Sequence, residues 1–260
     1  IVTLSILNIV FSSVLVLSYN LDIFGVALGT LFASFITVII FSLFTYQFII
    51  KKFKLIPRFE KIVIKSKLLK LFNINLDIFI RTLFVTFSFL WVTYLGSKLG
   101  EDYLAVNTIL MQFIILAAFF LDAYAFSSEG IIGFIIGRKN KKSFLLTVKN
   151  SIQISFITAL IISIIYIIFF KQIINIITDI ELLRFISYKH FLWIIIIPPI
   201  ASFCYQLDGI FIGASQTKEM RNAMIISVIS FIIISIYSTK YFGNHGLWFS
   251  LLCFMILRSL

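Results

Sequence analysis

Charged side chains are scarce in this sequence: Asp, Glu, Lys and Arg make up only 13% of its 260 residues, while 61% are hydrophobic. A water-soluble fold of this size needs far more polar surface to cover its core. The mean hydropathy of +1.10 agrees with this view. These values exclude an ordinary soluble domain and indicate a protein whose solvent is the lipid bilayer.

Residues with reactive side chains are also few. The two cysteines, Cys204 and Cys253, lie in apolar segments without pairing or metal-ligand spacing, which indicates packing roles. His190 and His245 lie near the ends of apolar runs, and neither has a second histidine or a carboxylate at ligand spacing. No phosphate loop or nucleophile elbow is present. The sequence therefore predicts no metal site, no cofactor and no enzyme activity.

Long hydrophobic runs dominate the sequence. A bilayer core about 30 Å thick takes roughly 20 apolar residues per helix, and the runs show no sustained alternation of the kind that transmembrane strands require. We therefore predict an all-α, polytopic transmembrane helix bundle. The eight predicted spans lie near residues 1–18, 23–50, 73–97, 103–130, 144–170, 187–215, 222–242 and 245–260.

Positive charge is concentrated in the connections between spans. The net charge is +11, and 15 of the 22 Lys and Arg residues lie in three connections, 51–72, 138–149 and 216–221. These alternate with connections that hold few basic residues, as the positive-inside rule requires of consecutive helices. We therefore expect the three basic loops to be cytoplasmic and the basic residues to serve orientation in the membrane. No nucleic-acid partner is predicted.

The connection at 51–72 is the longest polar stretch and a candidate domain boundary. Two spans precede it and six follow, which predicts the last two helices of one lobe (1–50), a basic interlobe linker and a six-helix second lobe (73–260). IFGVALGT at 23–30 and YFGNHGLW at 241–248 each place Phe-Gly ahead of a second glycine, near the start of the last helix of each half. Repeated halves are common in transporters.

An ionisable residue inside a predicted span costs at least ~2.5 kcal/mol on insertion scales and is a functional candidate by default, and five such residues stand out. They are Asp77, Arg81, Asp122, Glu129 and Asp208. Asp77 and Arg81 are four residues apart and share a helix face. Counted from the nearest basic loop, Arg81, Glu129 and Asp208 lie on the order of 14 Å inward at 1.5 Å per residue. Similar depth in three helices predicts one shared network.

We expect Arg81 to be the centre of a cluster with Asp77, Glu129 and Asp208, and Asp122 is a further candidate member. Four acids around one arginine would leave excess negative charge in a low dielectric, which favours protonation of a carboxyl group and suits coupling to H⁺. The alternative is that the cluster only ties helices together. Asn107 and Gln112 on the fourth span are candidates to line a cavity or to hydrogen-bond neighbouring helices.

One proline pair should affect the span that carries Asp208. Pro198 and Pro199 lack backbone N–H groups, so we expect them to bend or break the sixth span and to free carbonyl oxygens nearby. Asp208 follows this predicted break.

Several segments resemble the multidrug and toxic compound extrusion (MATE) family, in its DinF-like branch. NINLDIFIRT at 73–82 is similar to the start of the family's seventh helix, and LAVNTILMQF at 104–113 and LDAYAFSSEGIIGFIIG at 121–137 to its eighth. DGIFIGA at 208–214 resembles the tenth helix, and GNHGLW at 243–248 the start of the twelfth. The resemblance covers essentially the whole chain and places four further helices ahead of it.

The resemblance implies a monomeric, two-lobed exporter of cationic or amphipathic compounds in the bacterial inner membrane, driven by H⁺ or Na⁺. In the DinF-like branch it also implies that an Asp of the first helix takes part in coupling. Two other functions stay open. A lipid-linked oligosaccharide flippase of the same superfamily would need several cationic side chains in its cavity, whereas only Arg81 and Arg258 are candidates for such a place here. An integral membrane enzyme would need clustered His, Asp or Ser at one interface.

Overall fold

The computed structural model describes residues 2–51 and 64–260. The chain folds into two compact units, one ending at Leu68 and the other running from Leu69 to Leu260. Part of the predicted linker, 52–63, lies outside the described residues, and the part from Lys65 onward is helical. Every regular element in the described ranges is helical, which confirms the predicted all-α class.

The first unit contains a hairpin of two apolar helices. Helix α1 spans Val2–Leu17, and α2 spans Asp22–Thr45 and continues as a π-helical segment over Tyr46–Lys51. Asn8 Nδ2 donates to Thr30 Oγ1 at 3.1 Å across the hairpin. Most large apolar side chains of α1 and α2 are exposed, as lipid-facing helices require.

The second unit is built from long helices around one apolar core. In chain order they are α3 (Lys65–Leu99), α4 (Glu101–Gly137), α5 (Lys141–Ile177), the short α6 (Glu181–Lys189), α7 (Phe191–Gly213) and α8 (Thr217–Ser259). Trp248, Phe170, Phe231 and Phe254 are among the largest fully buried side chains of this core.

Six helices in the described ranges are long and apolar enough to cross a membrane: α2 with its π-helical extension, α3, α4, α5, α7 and α8. Helix α1 is apolar but has only 16 residues. Helix α8 has 43 residues, about 65 Å at 1.5 Å per residue, or twice the thickness of a bilayer core. It contains both of the last two predicted spans.

The two halves of α8 meet at Gly243. Its φ of 55° and ψ of −135° interrupt the helical conformation, and this left-handed region is one that L residues with a Cβ rarely adopt. Ser238 Oγ donates to Gly246 O at 2.8 Å across the break. The predicted boundary between the last two spans is therefore a glycine kink and not a loop.

The second glycine of each similar segment lies against the helix before it. A Cβ on Gly29 would stand 2.5 Å from Ser12 Oγ of α1, and one on Gly246 would stand 2.0 Å from Ser238 O. Each half of the repeat noted in the sequence therefore uses a glycine for close backbone approach at its last helical junction.

The proline pair does not end α7, which continues from Phe191 to Gly213. The expected break is therefore wrong, but a carbonyl is freed. Pro199 has no N–H to offer Ile195 O, four residues earlier, and Ser163 Oγ of α5 donates to that oxygen at 2.9 Å. An interhelical hydrogen bond replaces the missing helical one, so the helix persists inside the bundle.

Helices α4 and α7 approach each other closely through glycine. A Cβ on Gly209 would stand 2.3 Å from Ala125 O, and one on Gly213 would stand 2.5 Å from Glu129 O. Small residues permit such approach in membrane bundles, where packing rather than the hydrophobic effect drives helix association. This packing fixes the helix that carries Asp208 against the helix that carries Asp122.

We predict that Gly209→Ala destabilises the full-length protein by about 1 to 3 kcal/mol, the usual cost of overpacking, because backbone on both helices must move. Gly130→Ala is the matched control, since a Cβ there meets nothing within 4 Å and alanine favours the helix. The apparent Tm of both variants, measured by fluorescence-detected size-exclusion chromatography, should fall for Gly209→Ala alone. Equal Tm values would contradict the packing argument.

Candidate functional site

A charged cluster lies inside the second unit, where four helices converge. Asp208 on α7 binds two arginines through one oxygen: Arg81 Nη2 of α3 donates to Asp208 Oδ2, and Arg258 Nη2 of α8 donates to the same atom at 2.7 Å. The Arg258 side chain is only 4% exposed and that of Asp208 15%. Asp208 therefore joins α3, α7 and α8 through ion pairs in an apolar surrounding.

The fourth member of the cluster is Asp122 on α4. It lines a cavity of about 230 Å³ together with Arg81, Arg258 and the ring of Tyr205. Asp122 has no hydrogen-bond or ion-pair partner in the part of the chain that the structure describes. We call this space the charged cavity; its remaining walls are Val85, Phe89, Ile114, Ile115, Ala118 and Phe119.

The geometry corrects the expected cluster in two places. Asp77 does not pair with Arg81, although the two share a helix face: its carboxylate accepts from Arg221 Nη1 at 2.5 Å and from Thr217 Oγ1 at 3.1 Å. Both partners lie in the first turns of α8, which draws Asp77 toward that end of the bundle. Asp77 ties α3 to α8 one turn away from the charged cavity.

The second correction concerns Glu129. Its backbone packs against Gly213, and its side chain makes no ion pair within the described ranges. The expected excess of negative charge is also absent from the cluster. Arg81 and Arg258 balance Asp122 and Asp208, so the four side chains sum to zero formal charge. The pairing of Arg258 was not foreseen, although its position within an apolar run was visible.

A second polar site surrounds Asn107, at the kink in α8. The amides of Asn107 and Asn244 bond reciprocally, at 2.7 and 3.0 Å, and Trp248 Nε1 donates to Asn107 Oδ1 at 2.9 Å. Asn107 and Gln112 also line a cavity of about 210 Å³ between α3 and α4, here called the amide cavity. Asn107 thus both hydrogen-bonds a neighbouring helix and lines a cavity.

The two histidines, distant in sequence, meet beside this site. The His190 and His245 rings stack with centroids 4.3 Å apart. His190 Nδ1 lies 2.8 Å from Ile186 O, an acceptor, which makes Nδ1 the protonated nitrogen and leaves Nε2 to accept from Asn244 at 2.9 Å. No group of three His, Cys, Asp or Glu residues in the described ranges could hold a metal ion.

The fold and these sites define a polytopic helical membrane protein with a charged cavity inside its second unit. The sequence matches the MatE family over residues 78–239. The chain belongs to this family, whose members are transporters and not enzymes, and within it the chain is DinF-like.

Two curated proteins show the relationship. The chain is 32% identical over 256 residues to DNA damage-inducible protein F of Escherichia coli (strain K12), covering 98% of the chain and 55% of that protein. It is 24% identical to Protein DETOXIFICATION 43 of Arabidopsis thaliana, covering 100% of the chain and 48% of that protein. The chain therefore spans about half the length of these relatives.

Solved structures share the fold. A mutant of the Vibrio cholerae MATE transporter VcmN superposes with a TM-score of 0.87 at 17% identity, covering 99% of the chain and 58% of that structure. The outward-facing conformation of a multidrug resistance MATE family transporter of the MOP superfamily gives a TM-score of 0.86 at 16% identity, with the same coverage. The resemblance seen in the sequence segments is thereby confirmed at the level of family and fold.

We predict that Asp208→Asn lowers the stability of the full-length protein by about 3 kcal/mol, because removing one partner of a buried ion pair leaves the other charge uncompensated. Asp179→Asn is the control: Asp179 pairs with Arg184 at 3.1 Å but is fully exposed, so little change is expected. Apparent Tm values in one detergent compare the two. A Tm for Asp208→Asn equal to the control would mean that the ion pairs contribute nothing.

The buried His190 predicts a pH dependence of stability. Burial lowers the pKa of His190 and outweighs the hydrogen bond to Ile186 O, which raises it, whereas an unfolded histidine takes up its proton near about pH 6.5. The unfolded state therefore binds more protons in this window, and stability is lost as the pH falls below about 6.5. The apparent Tm should drop between pH 7 and pH 5, and His190→Gln should flatten that dependence. An unchanged slope in the variant would assign the effect to other groups.

Proposed function

We propose that this chain supplies helices of a secondary transporter that exports cationic or amphipathic compounds from a bacterial cell in exchange for H⁺ or Na⁺. The observation that carries the proposal is the charged cavity itself. Arg81, Asp122 and Arg258 line one space within apolar spans, and Asp208 pairs with both arginines. Charged side chains at such a place are costly unless they serve a function. Membership of a transporter family supports the same interpretation.

The two acids of the charged cluster have different surroundings. Asp208 is held by two guanidinium groups, and through them it joins α3, α7 and α8. Asp122 faces the cavity without a partner among the described residues. We therefore assign the exchangeable ion, H⁺ or Na⁺, to Asp122, and a structural role to Asp208.

The walls of the cavity suit an amphipathic compound. Phe89, Phe119 and Tyr205 provide aromatic surface beside the charges, and pockets of this kind bind ligands through apolar contact with a few polar groups that fix orientation. We propose that the substrate is a small molecule that enters the cavity from the membrane or the cytoplasm. We propose a monomer as the working unit, with lipid as its surrounding.

The positions of the basic residues predict the orientation of the protein in the membrane. Thr217, at the start of α8, donates to Asp77 near the start of α3 at 3.1 Å, so these two helix ends lie on the same side of the bundle. Both starts are rich in Lys and Arg. By the positive-inside rule we place this side, with loops 51–72, 138–149 and 216–221, in the cytoplasm and the protein in the bacterial inner membrane.

The proposal is tested with the full-length gene product in proteoliposomes. Ethidium, a cationic and amphipathic dye, should move against its gradient when an opposing H⁺ or Na⁺ gradient is imposed, and dissipating that gradient should stop the movement. Asp122→Asn should abolish gradient-driven transport, because the amide takes up no proton near neutral pH and offers Na⁺ no negative charge, while protein yield and apparent Tm stay near those of the unmodified protein.

Two results would refute this proposal. Ethidium movement that does not depend on either gradient would exclude an antiporter. Full transport by Asp122→Asn would move the exchangeable site elsewhere. Glu129→Gln is the matched control, since Glu129 lies seven residues along the same helix but does not line the charged cavity, and it should transport normally.

A further inference from the structure

The two arginines of the charged cavity have more donors than acceptors. Arg258 is buried, yet among the described residues it makes only one strong hydrogen bond, to Asp208, and a weak one from Nη1 to Met255 Sδ at 3.7 Å. The Nε atoms of Arg258 and Arg81 are both buried without a partner among the described residues. Ten N–H donors thus share a single carboxylate oxygen, which leaves capacity for a second anionic group at this place.

The opposite wall carries the complementary charge. Asp122 lines the same cavity and has no partner within the described part of the chain. Helices α3 and α4 are consecutive and joined at Gly100, so Arg81 and Asp122, each roughly 20 residues from that junction, stand at the same level. The cavity therefore presents unused donors and an unused acceptor at one depth.

The formal charges of the cluster determine what net charge a ligand should carry. While Asp122 is free of the exchangeable ion, the four side chains sum to zero formal charge, so a substrate with a single charge would place a net charge in a low-dielectric interior. A ligand with one ammonium and one carboxylate group leaves the sum at zero. It also satisfies both unused sets of hydrogen-bonding groups.

The space beside the charges accommodates an apolar body. Phe89 and Ile115 line both the charged cavity and the amide cavity, so the two spaces adjoin along the α3–α4 groove. From Arg81 to Thr93 the groove extends about 18 Å at 1.5 Å per residue. An aromatic or aliphatic group attached to the charged head would lie along Phe89 toward Gln112.

We propose that the charged cavity is a binding site for zwitterionic amphipathic compounds, with the carboxylate on Arg81 and Arg258, the ammonium on Asp122 and the apolar body along the α3–α4 groove. The site rests on the proposed function for its place in transport, and it narrows that function's substrate class from cationic or amphipathic compounds to those that carry both charges. Binding itself requires no gradient.

Binding of three matched probes to the full-length protein in lipid nanodiscs tests the inference. Nε-dansyl-L-lysine carries both charges, its primary α-amide only the positive charge, and its Nα-acetyl derivative only the negative charge. Equilibrium dialysis against empty nanodiscs should show the zwitterion binding roughly tenfold or more tighter than either derivative, since truncating one partner of a buried charge pair weakens binding by at least that factor.

Two variants test which side chain binds each charged group of the probe. Arg81→Gln should remove the preference for the zwitterion over the α-amide, and Asp122→Asn should remove the preference over the Nα-acetyl derivative. Arg184→Gln and Asp179→Asn are the matched controls, because this ion pair is exposed and lies outside the cavity; both should keep the preferences of the unmodified protein. A variant that only loses fold would weaken all three probes equally, so the preference ratio separates recognition from stability.

The inference is overturned if the α-amide binds as tightly as the zwitterion, or if Arg81→Gln keeps an apparent Tm near that of the unmodified protein and still prefers the zwitterion over the α-amide. Its failure is distinct from failure of the proposed function. Gradient-driven ethidium transport without a zwitterion preference would leave the antiporter standing and refute this site. A clear preference for the zwitterion in a protein that never transports would support this site and refute the proposed function.

Discussion

The ion pairs that converge on Asp208 are the interaction on which the second unit depends. In a membrane interior a charge without a partner is costly, and Asp208 provides a partner for two arginines, one on the first and one on the last helix of the unit in chain order. Arg81 on α3 and the nearly buried Arg258 on α8 both donate to its Oδ2 atom. Because α7 carries Asp208, the position of that helix sets the position of the whole cluster.

Close backbone packing determines the position of α7. Gly209 and Gly213 allow α7 to approach α4 at Ala125 and Glu129, which brings Asp208 and Asp122 to neighbouring levels of the bundle. The hydrogen bond from Ser163 to the carbonyl freed by Pro199 lets α7 continue through its prolines. Helix α3, in contrast, is held by polar contacts, from Trp91 Nε1 to Ser235 Oγ and from Asp77 to α8. The cavities lie along this more loosely packed helix.

The balance of charge in the cluster changes how its chemistry is understood. If one arginine were surrounded by several acids, some of those acids would be protonated. Two arginines and two acids instead form a neutral set, in which one acid remains unpaired among the described residues. This gives Asp208 and Asp122 separate roles, one in holding helices and one in exchange. It also makes a substrate with two opposite charges the best match to the site while the exchangeable ion is absent, since a substrate with a single charge would not preserve neutrality.

The sequence determined the membrane class, the helical architecture and the family, because hydrophobic run length and local motifs are set by neighbouring residues along the chain. It also identified Arg81, Asp122 and Asp208, since a charge within an apolar run is visible without a structure. The sequence could not show which side chains pair with each other. Asp77 shares a helix face with Arg81 but pairs with Arg221, Arg258 reaches Asp208 across 50 residues, and His190 stacks on His245 of another helix. Only tertiary structure decided these pairings, because they depend on which helices lie side by side, and local patterns along the chain do not encode that arrangement.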